Sequence, residues 1–216
     1  MTDVIHVKKY KLPPVNFGEV LRYAGCRKEK AEVLEMAYWA DEKTKYILRP
    51  AVCWRKLPVR VDGKNIDLGG MRLFSGALAE NIGSCQSAIL FAATIGLEID
   101  RWIGRYGRLS PAKGLLLQAL GAERIETLCD VFNKEIAEKY GSTRPRFSPG
   151  YGDFPMETQR KIFDLLDCSG KIGLYLNESL LMSPTKSVTA VIGIGTGKEL
   201  QKGCVSCGKK DCTFRR

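Results

Sequence analysis

The feature that most constrains the fold is one long helical pattern over residues 110–140. A Ser-Pro pair at its start supplies a capping side chain and a proline at the first helical position, and Gly141 can end the helix. Gly114 and Gly121 lower the helix propensity, so we expect a break or close helix packing there. Apolar residues recur at helical spacing and predict one buried stripe, formed by Ile125, Leu128, Cys129, Phe132 and Ile136.

The rest of the chain mixes helical and strand patterns without a regular βαβ alternation. Helical spacing predicts two helices within residues 16–48, one helix from Ser75 onward and one over residues 155–166. Alternating patterns predict a β-hairpin of residues 51–61 and 65–73 across Asp62-Gly63, and strands over residues 171–176 and 187–194. An almost wholly apolar run over residues 86–95 predicts a buried central strand.

These elements favour an α+β fold, with a twisted, largely antiparallel sheet flanked by helices. Forty-four per cent of the 216 residues are apolar, which is enough to bury a core, and the chain shows no internal repeat. We expect one domain over residues 1–200 and a Cys-rich basic tail over residues 201–216.

Composition excludes several classes of protein. The longest apolar stretch, residues 87–97, is far short of the roughly 20 residues of a membrane-spanning helix, and the start lacks the pattern of a secretory signal, so we expect a cytoplasmic protein without a membrane partner. The net charge of +10 suits an anionic partner or ligand, but the cations form short clusters, which favours a solvated face over nucleic-acid binding. The single histidine, His6, excludes an imidazole-rich zinc site and argues against a Ser-His-Asp triad.

The eight cysteines argue for buried thiols, metal ligation or redox chemistry rather than a disulfide framework. Three of them, Cys204, Cys207 and Cys212, have a spacing that suits Zn or an iron–sulfur cluster. Three ligands leave a four-coordinate site incomplete, so a fourth would come from elsewhere. Redox-active thiols and a tail without special function are the alternatives.

A loop over residues 142–155 is the second candidate site. Arg146 can clamp a carboxylate, Gly150 lets a ligand approach the backbone, and Tyr151 offers a ring for stacking. A structural crossover is the alternative interpretation of such a loop.

Further along the chain, the Gly193-x-Gly-x-Gly segment lacks the spacing of a phosphate-binding loop. Four carboxylates are polar candidates for a cleft, although each can equally be solvated or capping: Glu123, Glu126, Asp153 and Glu178.

The order of motifs over roughly residues 121–190 resembles the S-adenosylmethionine-binding activation domain of cobalamin-dependent methionine synthase, whereas residues 1–85 match less well. The resemblance is carried by Ala122-Glu-Arg-Ile-Glu126, Arg146-Phe-Ser-Pro-Gly-Tyr151, Gln159, Asn177-Glu-Ser179, Met182-Ser-Pro184 and Ser187-Val188. We interpret the chain as a free-standing relative of that domain.

The resemblance implies that S-adenosylmethionine binds at Arg146, Ser148 and Gly150, with Tyr151 beside them and Glu178 in a matched segment. Ser148 replaces an alanine of the family, which is tolerated if the main chain makes the contact. The family's ligand-contacting tyrosine beyond the Ser-Val segment has no counterpart in residues 192–196.

The function implied is the reductive methylation of cob(II)alamin. His6 does not supply the cobalamin-binding Asp-x-His-x-x-Gly pattern, so the resemblance implies a separate methionine synthase or other corrinoid protein as partner, together with an electron donor. Two alternatives remain open: a metal- or iron–sulfur-binding adaptor without catalysis, and methyl transfer to another corrinoid protein.

Overall fold

The computed structural model describes residues 4–26 and 30–195. In this part of the chain the helices are α1 (Phe17–Tyr23), α2 (Ala31–Thr44), α3 (Gly76–Ile82), α4 (Glu98–Leu109), α5 (Pro111–Tyr140), α6 (Thr158–Leu166) and α7 (Cys168–Ile172). The strands are β1 (His6–Lys9), β2 (Ala51–Asp62), β3 (Asn65–Leu68), β4 (Met71–Phe74), β5 (Ser87–Thr94), β6 (Tyr175–Leu176), β7 (Met182–Ser183) and β8 (Ser187–Ile194).

Six strands form one antiparallel sheet in the order β4-β3-β2-β5-β8, and β1 pairs with the first half of β2. The long strand β2 therefore joins two parts of the sheet, since its other half pairs with β3. A separate two-stranded sheet consists of β6 and β7. This architecture confirms the predicted α+β fold with an antiparallel sheet and flanking helices.

Strand β5 lies between β2 and β8, and residues 88–94 are all buried. Its side chains alternate between two cores: Ile89, Phe91 and Ala93 face the core beneath α5, whereas Leu90 and Ala92 face the core beneath α3 and α6. Because both faces are covered, the sequence of this strand is apolar throughout rather than alternating. The prediction of a buried central strand is confirmed.

Helix α5 packs against β5, β8 and the helices α1, α2 and α4. The predicted apolar stripe is buried in full, as is Cys129 within it. Close packing also occurs at both glycines: a Cβ on Gly114 would lie 2.9 Å from the Cα of Gly107 in α4, and one on Gly121 would lie 3.0 Å from the side chain of Lys186. The helix runs through both glycines without a break.

Three features of the fold differ from the sequence-based expectations. The predicted strand over residues 65–73 is two strands, because Gly69 and Gly70, with φ of +60° and +92°, turn the chain between β3 and β4. The predicted strand over residues 171–176 is wrong in its first half, because residues 171 and 172 belong to α7. This helix is capped by Asp167, which adopts a left-handed conformation and accepts a hydrogen bond from Gly170 N at 3.2 Å. Helix α4 was not predicted at all.

Helix α4 has two glycines, Gly104 and Gly107, which weaken its local signal. Its stability comes from packing on α5, where the bare backbone of Gly107 meets Gly114. Within the described ranges, no helix is both long and apolar enough to cross a membrane.

Candidate ligand-binding site

The loop over residues 142–155 runs along the outer edge of β8 instead of standing free of the sheet. Phe147 and Val191 exchange two main-chain hydrogen bonds of 2.9 Å each, and Arg144 N donates to the Gly193 carbonyl at 2.8 Å. A second bridge joins Thr143 to Ile194. The first half of the loop is thereby fixed on a strand of the central sheet, a pairing that the sequence did not predict.

Asp153 fixes the second half of the loop to the start of α3. Its carboxylate accepts hydrogen bonds from Ser75 Oγ at 2.6 Å, Gly76 N at 2.8 Å and Ala77 N at 3.0 Å. The bond from Ser75, followed by those from the two main-chain amides, lowers the pKa of Asp153 to about 2. Asp153 is therefore a capping carboxylate, one of the two interpretations left open for it.

Between these two anchors the chain forms a compact turn. Tyr151 N donates to the Ser148 carbonyl at 3.1 Å, and Gly150 N donates to the Phe154 carbonyl at 2.8 Å. Gly150 has φ of +89° and Gly152 has φ of +54°, conformations that favour glycine. The buried ring of Phe154 holds the end of this turn in the core beneath α3 and α6.

The Arg146 side chain extends from the loop to α5. Its Nη1 donates to Asp130 at 2.6 Å and its Nη2 donates to Glu126 at 2.5 Å. The Asn133 amide, in the orientation that satisfies both of its polar atoms, accepts a further hydrogen bond from Nη1 at 2.9 Å. Only 22% of the Arg146 side chain is exposed. The predicted carboxylate-binding residue is thus already engaged by two carboxylates of the protein itself.

The remaining predicted residues of the loop lie at the surface of the same turn. Ser148 is half-buried, Gly150 is exposed, and the Tyr151 ring is 64% exposed, with its centroid 6.2 Å from that of Phe147. The structure therefore places Arg146, Ser148, Gly150 and Tyr151 in one fixed segment.

Glu178 lies outside that segment. It is exposed in the turn between β6 and β7, where its main-chain carbonyl accepts a hydrogen bond from Arg160 at 2.6 Å. In the described part of the chain its carboxylate forms no hydrogen bond or ion pair.

Gly150 and the Tyr151 ring are exposed, so this segment lies at the surface of the protein. Two concave surfaces lie elsewhere, one at the β2, β3 and β4 strands around Arg60 and Asp67, the other between α6, α7 and β6 around Asp164 and Tyr175. A ligand bound on the loop would be partly exposed.

The predicted metal ligands Cys204, Cys207 and Cys212 lie outside the described residues. The five cysteines of the described ranges are free thiols. Burial raises the pKa of Cys129 to about 12, which marks it as an inert core residue. Over residues 4–26 and 30–195, no group of His, Cys, Asp and Glu side chains is arranged to hold a metal ion.

Sequence reasoning missed Asp130 and assigned Glu126 no partner. Both lie on α5 four residues apart, a spacing that places two side chains on the same helix face and was a usable signal. The loop–helix contact itself could not be read from spacing, because Arg146 lies 16 residues from Asp130 across the end of the helix.

Comparisons with known proteins bear on the same segment. The family model described as vitamin B12 dependent methionine synthase, activation domain, matches residues 126–198. Among solved structures, the fold is similar to that of the MetH reactivation domain bound to AdoHcy, with a TM-score of 0.66, 14% sequence identity, and coverage of 92% of this chain and 80% of that chain. At that identity the structural likeness establishes the fold alone. No curated protein matches the chain by sequence.

Proposed function

We propose that this chain, a relative of the vitamin B12 dependent methionine synthase activation domain, binds S-adenosylmethionine on the segment Arg146–Tyr151 and supports reductive methylation of cob(II)alamin. The observation that carries the proposal is that this segment lies within the family match and is fixed between β8 and α3. The corrinoid belongs to a separate methionine synthase or another corrinoid protein in the cytoplasm.

A fixed loop suits this task because the donor's methyl group must be held in line with its acceptor. In the proposed site the Arg146 guanidinium binds the methionine carboxylate, and the main chain at Ser148 and Gly150 pairs with the adenosine portion. The exposed Tyr151 ring stacks on the adenine. Glu178 remains a proposed contact that needs the β6–β7 turn to approach the ligand.

The partner's corrinoid would supply the redox chemistry and accept the methyl group, with one electron from a separate donor and AdoHcy as the other product, while Arg146–Tyr151 of this chain would hold the methyl donor. The described residues do not fit a corrinoid ligand of their own, because the single histidine, His6, stacks on Trp54 at a centroid distance of 5.3 Å on an edge strand. A partner that carries the corrinoid can reach the loop because Gly150 and the Tyr151 ring are exposed.

Calorimetric titration of the anaerobically purified protein with S-adenosylmethionine tests the proposal. We expect saturable binding that Arg146→Ala weakens by roughly 1.5–3 kcal/mol, because a charged hydrogen bond is lost. Arg101→Ala is the matched control, since Arg101 is an exposed arginine paired with Glu98 on α4. Binding that is absent in the intact protein, or equal in the two variants, contradicts the assignment.

A second candidate is a metal- or iron–sulfur-binding adaptor, favoured by the spacing of Cys204, Cys207 and Cys212 beside several lysines and arginines. A cluster there would also serve as an electron relay for the proposed reaction. A third candidate, methyl transfer to a different corrinoid protein, uses the same loop, and assays with candidate corrinoid partners separate it from the first.

A further inference from the structure

Two carboxylates of α5 accompany the arginine of the proposed site. Glu126 and Asp130 bind different nitrogens of the same guanidinium, at 2.5 and 2.6 Å. We infer that Glu126 and Asp130 are positioning and specificity residues: they fix the orientation of Arg146 and give the site a net negative charge that favours S-adenosylmethionine over AdoHcy. This inference rests on the proposed function.

The carboxylates are held by a rigid element. They project from the middle of α5, whose residues Cys129 and Phe132 are fully buried beside them in the core. The backbone next to Arg146 is held by the two main-chain hydrogen bonds between Phe147 and Val191 of β8. The guanidinium therefore spans two fixed supports, and its orientation does not depend on a bound ligand.

The hydrogen bonds of Arg146 leave part of the guanidinium available. Arginine has five N–H donors, and those used by Asp130, Asn133 and Glu126 account for both donors of Nη1 and one of Nη2. Within the described ranges, no hydrogen bond is formed by Nε or by the second Nη2 donor. A ligand carboxylate can use these donors while the two protein carboxylates stay in place.

The charges of the three side chains sum to −1, since one guanidinium faces two carboxylates. S-adenosylmethionine carries an ammonium, a sulfonium and one carboxylate and is therefore a cation overall, whereas AdoHcy has lost the sulfonium charge. Only a short carbon chain separates the sulfonium from the ligand carboxylate. With that carboxylate on Arg146, the excess negative charge of the cluster acts on the sulfonium and favours the methyl donor over the product.

The test compares the affinities of S-adenosylmethionine and AdoHcy, by calorimetry, for the intact protein and for Glu126→Gln, Asp130→Asn and the double variant. Each amide has nearly the shape of the carboxylate, removes its charge and keeps one oxygen that can accept from the guanidinium. We expect the double variant to bind S-adenosylmethionine about tenfold more weakly. Its preference for S-adenosylmethionine over AdoHcy falls about threefold to fivefold relative to the intact protein.

Two further variants separate positioning from general damage. Glu138→Gln changes an exposed carboxylate on the same helix, paired with Lys134 at 3.9 Å, and is expected to leave both affinities unchanged. Asp130→Glu keeps the charge and is expected to retain the preference for S-adenosylmethionine. The single variants keep the test available if the double variant does not fold, as judged by thermal unfolding.

The outcomes distinguish the two proposals. If the intact protein does not bind S-adenosylmethionine, the proposed function fails and takes this inference with it. If the intact protein binds but the charge-removing variants bind as well or more tightly, the proposed function stands and the inference is overturned, because the carboxylates then do nothing or compete with the ligand. An unchanged ratio of the two affinities overturns the specificity part of the inference.

Discussion

The Asp153 carboxylate accepts a 2.6 Å hydrogen bond from Ser75 Oγ, across 78 residues of chain. Ser75 is also the cap of α3, since its hydroxyl accepts from Leu78 N at 3.0 Å. One hydroxyl group therefore connects the beginning of a helix with the end of the loop over residues 142–155. The stability of the loop and that of α3 are coupled through this contact.

Replacing Asp153 by Ala is expected to lower the melting temperature and to weaken S-adenosylmethionine binding. The substitution leaves Gly76 N and Ala77 N without their acceptor and frees the end of the loop. Thermal unfolding and calorimetry measure the two effects. Glu157→Gln, an exposed carboxylate at the start of α6 that caps no main-chain amide, is the control. Equal melting temperatures for Asp153→Ala and the control would refute the coupling.

The same contact predicts a pH dependence. The pKa of Asp153 is lowered from 3.8 to about 2 in the folded protein, so the unfolded state takes up a proton first as the pH falls. The stabilisation is complete above pH 3.8 and is lost as the pH falls towards 2. The difference in melting temperature between the intact protein and Asp153→Asn is therefore expected to be constant from pH 7 to about pH 5 and to shrink below pH 4. A difference that grows on acidification would contradict the assignment.

Gly150→Ala tests whether the turn needs its backbone conformation. Gly150 has φ of +89°, and a Cβ there would lie 2.5 Å from the terminal methyl of Met156, which can move aside. Backbone strain should dominate, at about 1–2 kcal/mol of the free energy of unfolding. Binding of S-adenosylmethionine should weaken as well, because the turn shifts.

Gly141→Ala is the matched control for this strain. Gly141 has φ of +83°, and a Cβ added there would have no atom within 4 Å, so the substitution carries the cost of the backbone conformation alone. Similar losses of stability in the two variants, with binding reduced only in Gly150→Ala, are expected in urea titrations and calorimetry. A Gly150→Ala variant as stable as the intact protein would show that the turn tolerates an L-residue.

Alanine substitutions at two helix glycines are expected to change the stability of the protein in opposite directions. A Cβ on Gly114 would meet the backbone of Gly107, which cannot move unless α4 and α5 separate, so Gly114→Ala is expected to destabilise the protein by about 1–3 kcal/mol despite the higher helix propensity of alanine. Gly104 in α4 has open space around it, so Gly104→Ala should stabilise by about 0.5–1 kcal/mol. Chemical denaturation measures both, and a stabilising Gly114→Ala would refute the close packing of the two helices.

The cysteine tail gives a prediction that does not depend on the loop over residues 142–155. Replacing Cys204, Cys207 and Cys212 together by Ser is expected to remove Zn or Fe from anaerobically purified protein, because thiolates are the ligands that these metals share. Elemental analysis measures the metal content. Cys26→Ser, which changes a free and partly exposed thiol, is the control. Metal content retained in the triple variant would place the site elsewhere.

The sequence by itself determined the elements whose signals are local or periodic. The apolar stripe specifies α5 because it buries one face of the helix, and the apolar run specifies β5 because both faces of that strand are buried. The Asp62-Gly63 pair specifies a tight hairpin turn between β2 and β3 because glycine readily adopts the positive φ that such a turn needs. The order of motifs over residues 121–190 likewise predicted a resemblance to the activation domain, and that family's model matches residues 126–198, most of the same segment.

Tertiary structure alone decided which side chains meet. The pairing of Phe147 with Val191 and the contacts of Asp153 with Ser75 and of Arg146 with Asp130 join segments whose spacing in the chain says nothing about their distance. The close approach of Gly107 in α4 to Gly114 in α5 likewise appears only when the two helices pack. Local patterns thus fixed most of the helices and strands, whereas the charge and orientation of the candidate site arose from the packing of α5 and α3 around one loop, since side-chain contacts depend on three-dimensional distance.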